Sequence, residues 1–269
     1  MYIHFIAPDA RQNAAAQALD RRFTTRSGAF SFEEDTPDAV ILPIPTTRDG
    51  VHVTDTSLTL AELDAKLDSR TPVIGYGSAP ALKTVNYCDL EKDERFVAVN
   101  AELTAECGTA ILLNTLHERG LSLDGTVCVV LGYGRIARGM IRRLEPFGTH
   151  LLIGARRQSA RTAISTLGHM AFDLTDRSFF AERGGLLFRD RPHILINTVP
   201  SPAVLDGLAE MPSPLFGLEL SGKSDVMAAC RALPYPMLNC RSLPTRYTSH
   251  AAGLALATAI RSVLDGYET

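Results

Sequence analysis

Short apolar runs alternate with amphipathic stretches along this chain, a rhythm that predicts an α/β protein built on mainly parallel sheets. Two such series are visible. The first has strands at residues 2–6 (YIHFI), 39–42 (AVIL) and 72–75 (PVIG). Asp9 ahead of Ala10 and Arg11 opens a helix after the first strand. Thr59, with Glu62 three positions on and Leu63 and Leu67 beyond, has the spacing of a capping box that starts another. The second series places six strand candidates at 126–131, 151–154, 169–172, 193–197, 215–220 and 237–239, the strand number of a complete dinucleotide-binding domain. Between the series, Leu103, Cys107, Ala110, Ile111 and Leu113 recur at roughly helical spacing. Near the end, Ala252, Leu256, Ile260 and Val263 share one face of a final helix. Pro234, Pro236 and Pro244 make the approach to it loop-like. The expected organisation is α/β with two doubly wound domains. A flavodoxin-like domain covers 1–99, a linking helix 100–120, a Rossmann NAD(P)-binding domain 121–245, and a helix in 246–269 packs on the first domain.

The strongest local signal is residues 126–137 (TVCVVLGYGRIA), a strand running directly into G-x-G-x-x-A. Gly132 permits the tight turn, Gly134 lets backbone N–H groups approach a pyrophosphate, and Ala137 allows close packing of helix on strand. Tyr133, Arg135 and Ile136 complete the loop, and the helix that follows points its positive end at the phosphates. Glycine turns between strand and helix also occur without a ligand, and the six-strand context is what favours a cofactor. At the end of the second strand of such a domain, an acidic residue bonds the ribose 2′-hydroxyl of NAD. This chain has Gly154, Ala155, Arg156 and Arg157 there instead. Two guanidinium groups suit a 2′-phosphate, so NADP is expected in preference to NAD, the alternative being two solvated arginines at a helix start. Residues 193–200 (HILINTVP) form a buried strand leaving a turn beneath the nicotinamide half of the site. Asn197 either bonds ribose or holds the turn, and Thr198, Val199 and Pro200 either contact the cofactor or shape the loop.

Composition narrows the picture. With 45% apolar and 21% charged residues over 269 positions, one or two globular cores are expected. A net charge of −3 offers no broad basic surface for nucleic acid. The five cysteines form no C-x-x-C pair and no metal-ligand spacing with histidine, so no metal is expected and reduced thiols fit best. The N-terminal MYIHFIAPDARQ lacks the pattern of a signal peptide, and no uninterrupted apolar run approaches the roughly 18 residues that cross a bilayer. A cytoplasmic protein without membrane contact is the expectation.

Taken together, several segments resemble the A subunit of dipicolinate synthase, the sporulation enzyme that makes pyridine-2,6-dicarboxylate, over nearly the whole chain. They are Asp9-Ala10-Arg11, Leu42-Pro43-Ile44-Pro45, residues 100–106 (NAELTAE), the Gly132 loop with Gly154-Ala155-Arg156, Asn197-Thr198-Val199-Pro200, and Ser242-Leu243-Pro244 ahead of Ala251-Ala252-Gly253. The chain departs from that family after Leu243-Pro244, where Thr245 stands in place of glycine, and in a shortened loop at 221–225 (SGKSD). The resemblance implies NADP-dependent oxidation of a dihydrodipicolinate-type ring, in partnership with a flavoprotein-like B subunit; a homo-oligomer is also expected. A dicarboxylate needs cationic or polar clamps, and loss of hydride from the ring needs a proton acceptor. Arg11 and Arg246 are the expected carboxylate clamps, with Thr104, Ser221 and Lys223 as further substrate contacts, and Glu106 or His250 is the proton acceptor. These positions are expected to converge on a crevice between the domains. Each has a plain alternative: Arg11 is an exposed first-turn residue or pairs with Asp9, Glu106 is a helix-surface carboxylate, His250 is structural, and Lys223 and Arg246 are solvated.

Two other functions fit. A 2-hydroxyacid-type NAD(P) dehydrogenase shares the architecture but needs a histidine-carboxylate couple next to an arginine, which the sequence does not display. A non-catalytic regulatory protein whose NADP occupancy sets partner affinity is the other.

Overall fold

The computed structural model describes residues 1–19, 21–33, 36–189, 191–208 and 210–267. In chain order its strands and helices are β1 (Tyr2–Ile6), α1 (Ala10–Ala18), β2 (Thr24–Gly28), β3 (Ala39–Ile41), α2 (Leu60–Lys66), β4 (Pro72–Gly75), β5 (Asn86–Asp89) and α3 (Glu94–His117). They continue with β6 (Val127–Leu131), α4 (Arg135–Leu144), β7 (His150–Ala155), α5 (Gln158–Thr166), β8 (Met170–Asp173), α6 (Phe179–Leu187) and β9 (His193–Asn197). Last come β10 (Gly217–Glu219), α7 (Ser224–Cys230), β11 (Met237–Asn239), α8 (Leu243–Tyr247) and α9 (Ser249–Asp265). The chain divides into two compact units, one of Met1–Asn100 with Pro244–Thr269, the other Ala101–Leu243.

In the first unit the sheet order is β2-β1-β3-β4-β5, with every pairing parallel. This is the flavodoxin-like order, whose connections reverse direction between β1 and β3. Alternate side chains feed two cores. Ile3, Phe5, Ile41 and Ile74 pack with Leu256 and Ile260 of α9, while Ile6, Val40, Leu42 and Val73 pack with Leu60 and Leu63 of α2. Burial on both faces explains the near-continuous apolar runs that mark these strands. The Thr59 capping box forms: its hydroxyl accepts the Glu62 N–H at 3.1 Å and Glu62 Oε2 accepts the Thr59 N–H at 2.9 Å. Asp9 and Gln12 form a second at the start of α1. On the neighbouring α9, a Cβ at Gly253 would stand 2.5 Å from Ala14 Cβ and 2.8 Å from the Arg11 carbonyl, so only glycine permits this approach.

In the second unit the order is β11-β10-β9-β6-β7-β8, again parallel throughout. Counted from β6, this is the doubly wound dinucleotide order, with its switch between β6 and β9. Ala137, Met140, Ile141 and Leu144 of α4 pack with Cys128 and Val130 on one face, and Val127, Val129 and Leu131 meet Phe172, Phe179 and Phe180 on the other. Gly139 of α4 lies where an added Cβ would come within 2.7 Å of Ala105 Cβ on α3.

Two helices differ from the sequence expectation. The helix expected over 100–120 starts earlier and ends sooner, as α3, and the division between the units falls within it. Although no uninterrupted run is long enough, α3 as a whole has the length and apolar composition to cross a bilayer; Ala105, Cys107, Leu112 and Leu116 place it instead in the core of the second unit. The region expected as loop near Pro244 contains α8, because proline in a first turn removes an N–H that has no intrahelical partner anyway.

Candidate functional site

The site grows from the end of β6. Gly132 has φ +101°, in the region that favours glycine, and an added Cβ would lie 2.6 Å from Thr198 Oγ1 and 3.1 Å from Val199 Cγ2. Its N–H donates to the Gly154 carbonyl at 2.9 Å, fastening the turn to β7. Gly134 differs. It caps α4 with φ −79° and ψ −168°, values open to any residue, and the place a Cβ would take has nothing within 4 Å. As a glycine it brings no side chain of its own to cap the N-terminus of α4. The first turn of α4 thus begins beside a position that neither backbone nor side chain of the rest of the protein approaches within 4 Å.

A cleft of about 360 Å³ covers this turn, bounded by Gly132, Tyr133 and Gly134, by Arg156, Arg157 and Ala160, and by Leu174 with the turn at 198–200. An adjoining cleft of about 470 Å³ shares Arg156, Leu174, Val199 and Pro200 and is closed by Arg177, Val204 and Gly207. Its apolar walls suit a planar base, while the first cleft offers backbone N–H groups and guanidinium groups.

Arg156 and Arg157 are exposed at the end of β7. Arg161 shapes the turn that carries them: its guanidinium donates to the carbonyls of Ala155 and Arg156 at 2.9 and 2.7 Å and pairs with Asp173 at 2.8 Å. Asp173 also accepts the Thr175 backbone N–H at 2.9 Å and its hydroxyl at 2.7 Å. These bonds, the backbone one foremost, and the nearby Arg161 hold its carboxyl below the usual aspartate value. The Asp173 carboxylate is thus already paired within the protein.

The opposite wall is the turn after β9. Thr198 donates its N–H and hydroxyl to the Leu131 carbonyl at 3.1 and 2.8 Å. Asn197 is fully buried, with Oδ1 accepting the Val199 N–H at 3.0 Å and Nδ2 donating to the Val199 carbonyl at 3.2 Å and to Glu219 Oε2 at 2.5 Å. Between the two readings open for Asn197, holding the turn is the one its geometry performs. Ser221 is likewise turned inward, its N–H donating to Glu219 Oε1 at 2.7 Å and its hydroxyl to the same oxygen. Its donors are spent within the protein rather than on a substrate.

The remaining candidates divide between the units. In the second, Thr104 is buried on α3, Glu106 is exposed on the same helix, and Lys223 is exposed at the start of α7. In the first, Arg11 is only 6% exposed, and its Nη2 donates to Asp9 Oδ2 at 2.8 Å, an oxygen that also accepts the Thr245 hydroxyl at 3.3 Å. Arg246 is exposed and lies over the Tyr247 ring, 5.1 Å from its centroid. His250 is exposed in the first turn of α9 rather than in a loop.

Sequence inspection missed Arg161, Leu174 and Glu219, which act through tertiary contacts, and one couple in the first unit. There His52 Nδ1 lies 2.7 Å from Asp49 Oδ2, with Arg48 adjacent in the chain and paired to Asp55 at 3.0 Å. The hydrogen bond with His52 is the largest of the influences that hold the Asp49 carboxyl well below its ordinary value.

No family model matches the chain, and no curated protein matches it by sequence. Solved structures do match. The A subunit of dipicolinate synthase from Bacillus halodurans aligns over 98% of this chain and 97% of its own at a TM-score of 0.75 and 24% identity. Its counterpart from Bacillus subtilis aligns over 100% and 97% at 0.74 and 20%. This chain has their fold. The apo structure of D-lactate dehydrogenase from Escherichia coli aligns over 100% and 97% at 0.61 and 15%, which places the same two-sheet α/β architecture among dehydrogenases.

Proposed function

We propose that this protein is an NADP-dependent oxidoreductase that oxidises a small cyclic dicarboxylate of the dihydrodipicolinate type. The observation that carries the cofactor reading is the contrast between the two loop glycines: Gly132 is demanded by the protein's own packing, whereas Gly134 answers to nothing inside it and opens onto the uncapped N-terminus of α4. A diphosphate fits that space, accepting backbone N–H groups with the helix dipole favouring its charge. In this reading Arg156 and Arg157, which line the cleft, meet a 2′-phosphate, and Leu174, Val199, Pro200 and Val204 of the adjoining walls enclose the adenine. The nicotinamide, when bound, supplies the hydride acceptor. The protein's own residues have the remaining tasks: guanidinium groups, Arg11 and Arg246, bind substrate carboxylates, and Glu106 or His250 takes the proton released as the ring becomes aromatic. The fold neighbours support a dehydrogenase; the substrate rests on the sequence resemblance and on the fold of the two dipicolinate synthase structures. A B-subunit partner and a cytoplasmic setting belong to the same reading.

Titration calorimetry of ligand-stripped protein with NADP and NAD tests the cofactor, and nicotinamide absorbance with a dihydrodipicolinate substrate tests the reaction. Heat with neither dinucleotide refutes the first. If Arg11, Glu106, Arg246 and His250 can each be substituted without change in kcat or KM, the assigned roles are wrong.

One observation favours a second reading, a 2-hydroxyacid dehydrogenase: the His52–Asp49 couple beside Arg48 is the pairing such chemistry requires. Loss of D-lactate or D-glycerate oxidation in His52→Ala, with dihydrodipicolinate inert, supports it over the first.

A further inference from the structure

Glu219 ends β10 with no exposed surface, and among the described residues no cation pairs with it. A carboxylate in such a place is costly, and an apolar side chain would serve the core better unless the acceptors are needed. They are needed in full. Oε2 accepts Asn197 Nδ2 at 2.5 Å and lies 4.0 Å from Cys230 Sγ, and Oε1 accepts both the N–H and the hydroxyl of Ser221. The carboxylate thereby ties the turn after β9 to the turn after β10. Asn197 carries the effect onward, because the same amide clasps both the N–H and the carbonyl of Val199, and Val199 lines both clefts.

We propose that Glu219 is a positioning residue for dinucleotide binding, acting through Asn197 on the Val199 wall of the cleft. The inference rests on the reading of that cleft as the dinucleotide site. Its chemistry is directional. Every neighbour of Glu219 approaches as a donor, so the shape of the side chain is not sufficient and both oxygens must accept. In Glu219→Gln, the new amide nitrogen faces either Asn197 Nδ2 or the Ser221 N–H, donor against donor in a site closed to water. A flip of Asn197 to relieve the first conflict would turn its own donors onto the Val199 N–H. Exchanging the pair, Asn197→Asp with Glu219→Gln, reverses one hydrogen bond and restores most of the others. The introduced glutamine donates to the introduced aspartate, which still accepts the Val199 N–H, and the glutamine oxygen still accepts Ser221. The bond to the Val199 carbonyl is lost and a carboxylate oxygen faces that carbonyl instead, so the restoration is partial.

Calorimetry with NADP on wild type, Glu219→Gln, Asn197→Asp and the exchanged pair tests this, alongside far-UV circular dichroism and thermal melts of each. Expected is a loss of at least tenfold in affinity for Glu219→Gln, a larger loss for Asn197→Asp, where two carboxylates face each other, and partial recovery in the exchanged pair, which binds at least threefold tighter than either single variant. Should a single variant fail to fold, recovery of folded, NADP-binding protein in the pair supports the proposal. Wild-type affinity in Glu219→Gln, or a folded pair that binds no better than the single variants, overturns it while leaving the cofactor reading intact. No heat from wild type overturns both.

Discussion

Replacing Gly134 with aspartate should move stability and cofactor affinity in opposite directions. Gly134 is the N-cap of α4, its backbone is extended, and a side chain there meets nothing within 4 Å. Aspartate is among the best N-cap residues, because its carboxylate accepts first-turn N–H groups and lies at the positive end of the helix. The gain over glycine is a few tenths of a kcal/mol from capping and about 0.3–1 kcal/mol from the dipole. In a chain of this size that raises Tm by about 1–3 °C. The same carboxylate occupies the place proposed for the diphosphate and repels it. Losing two charge-assisted hydrogen bonds at about 1.5–3 kcal/mol each removes about 3–6 kcal/mol of binding, about 10²- to 10⁴-fold in Kd. A thermal melt without ligand and calorimetry with NADP give the two numbers on one sample. If Gly134→Asp binds NADP within threefold of wild type, the diphosphate does not sit on α4, and the cofactor argument fails with it.

Other perturbations separate the parts of the site. Arg156→Ala and Arg157→Ala should each weaken NADP by about 10- to 100-fold, the worth of a charged contact to a phosphate, while changing NAD affinity less than threefold by calorimetry; an unchanged NADP/NAD ratio would remove the 2′-phosphate assignment. Gly132→Ala should lower stability by about 2–4 kcal/mol in a denaturant melt, from a left-handed backbone and the overlap with Thr198, and a melt equal to wild type would contradict the turn geometry. Asp173 has a lowered carboxyl pKa in the folded protein, so its contribution is complete above the ordinary aspartate value near 3.8 and disappears as pH falls through the lower folded value. The Tm advantage of wild type over Asp173→Asn should therefore hold at neutral pH and shrink only below about pH 4; an advantage that vanishes between pH 7 and 5 would assign it to another group.

Most of the fold could be read from periodicity because its central strands are buried on both faces. Residues 72–75 and 193–197 coincide with β4 and β9, each buried along its whole length. The strands that escaped notice, β2 (TTRSG) and β5 (NYCD), are sheet edges with few buried side chains, so parallel pairing to one neighbour holds them and no apolar pattern announces them. The short α8 was hidden by Pro244, which reads as a breaker except in a first turn.

The site was legible in a different proportion, because sequence reports what backbone geometry requires locally and stays silent about which polar groups are already spent. The glycine loop, with its strand before and helix after, is local and stands out. Asn197 and Ser221 look like donors waiting for a ligand, and both turn out to be consumed by Glu219, a residue whose neighbours come from 22 and 2 positions away. Arg161 and Arg156 are the same residue type five positions apart, yet one holds the turn and the other is exposed at the cleft. Even within the loop, two glycines identical on paper have separate causes. One is required by a positive φ and by Thr198; the other is required by nothing in the chain. A residue that the protein itself does not need, at the mouth of an uncapped helix, is the feature that points outward to a ligand, and it becomes visible only after the internal demands on its neighbours have been accounted for.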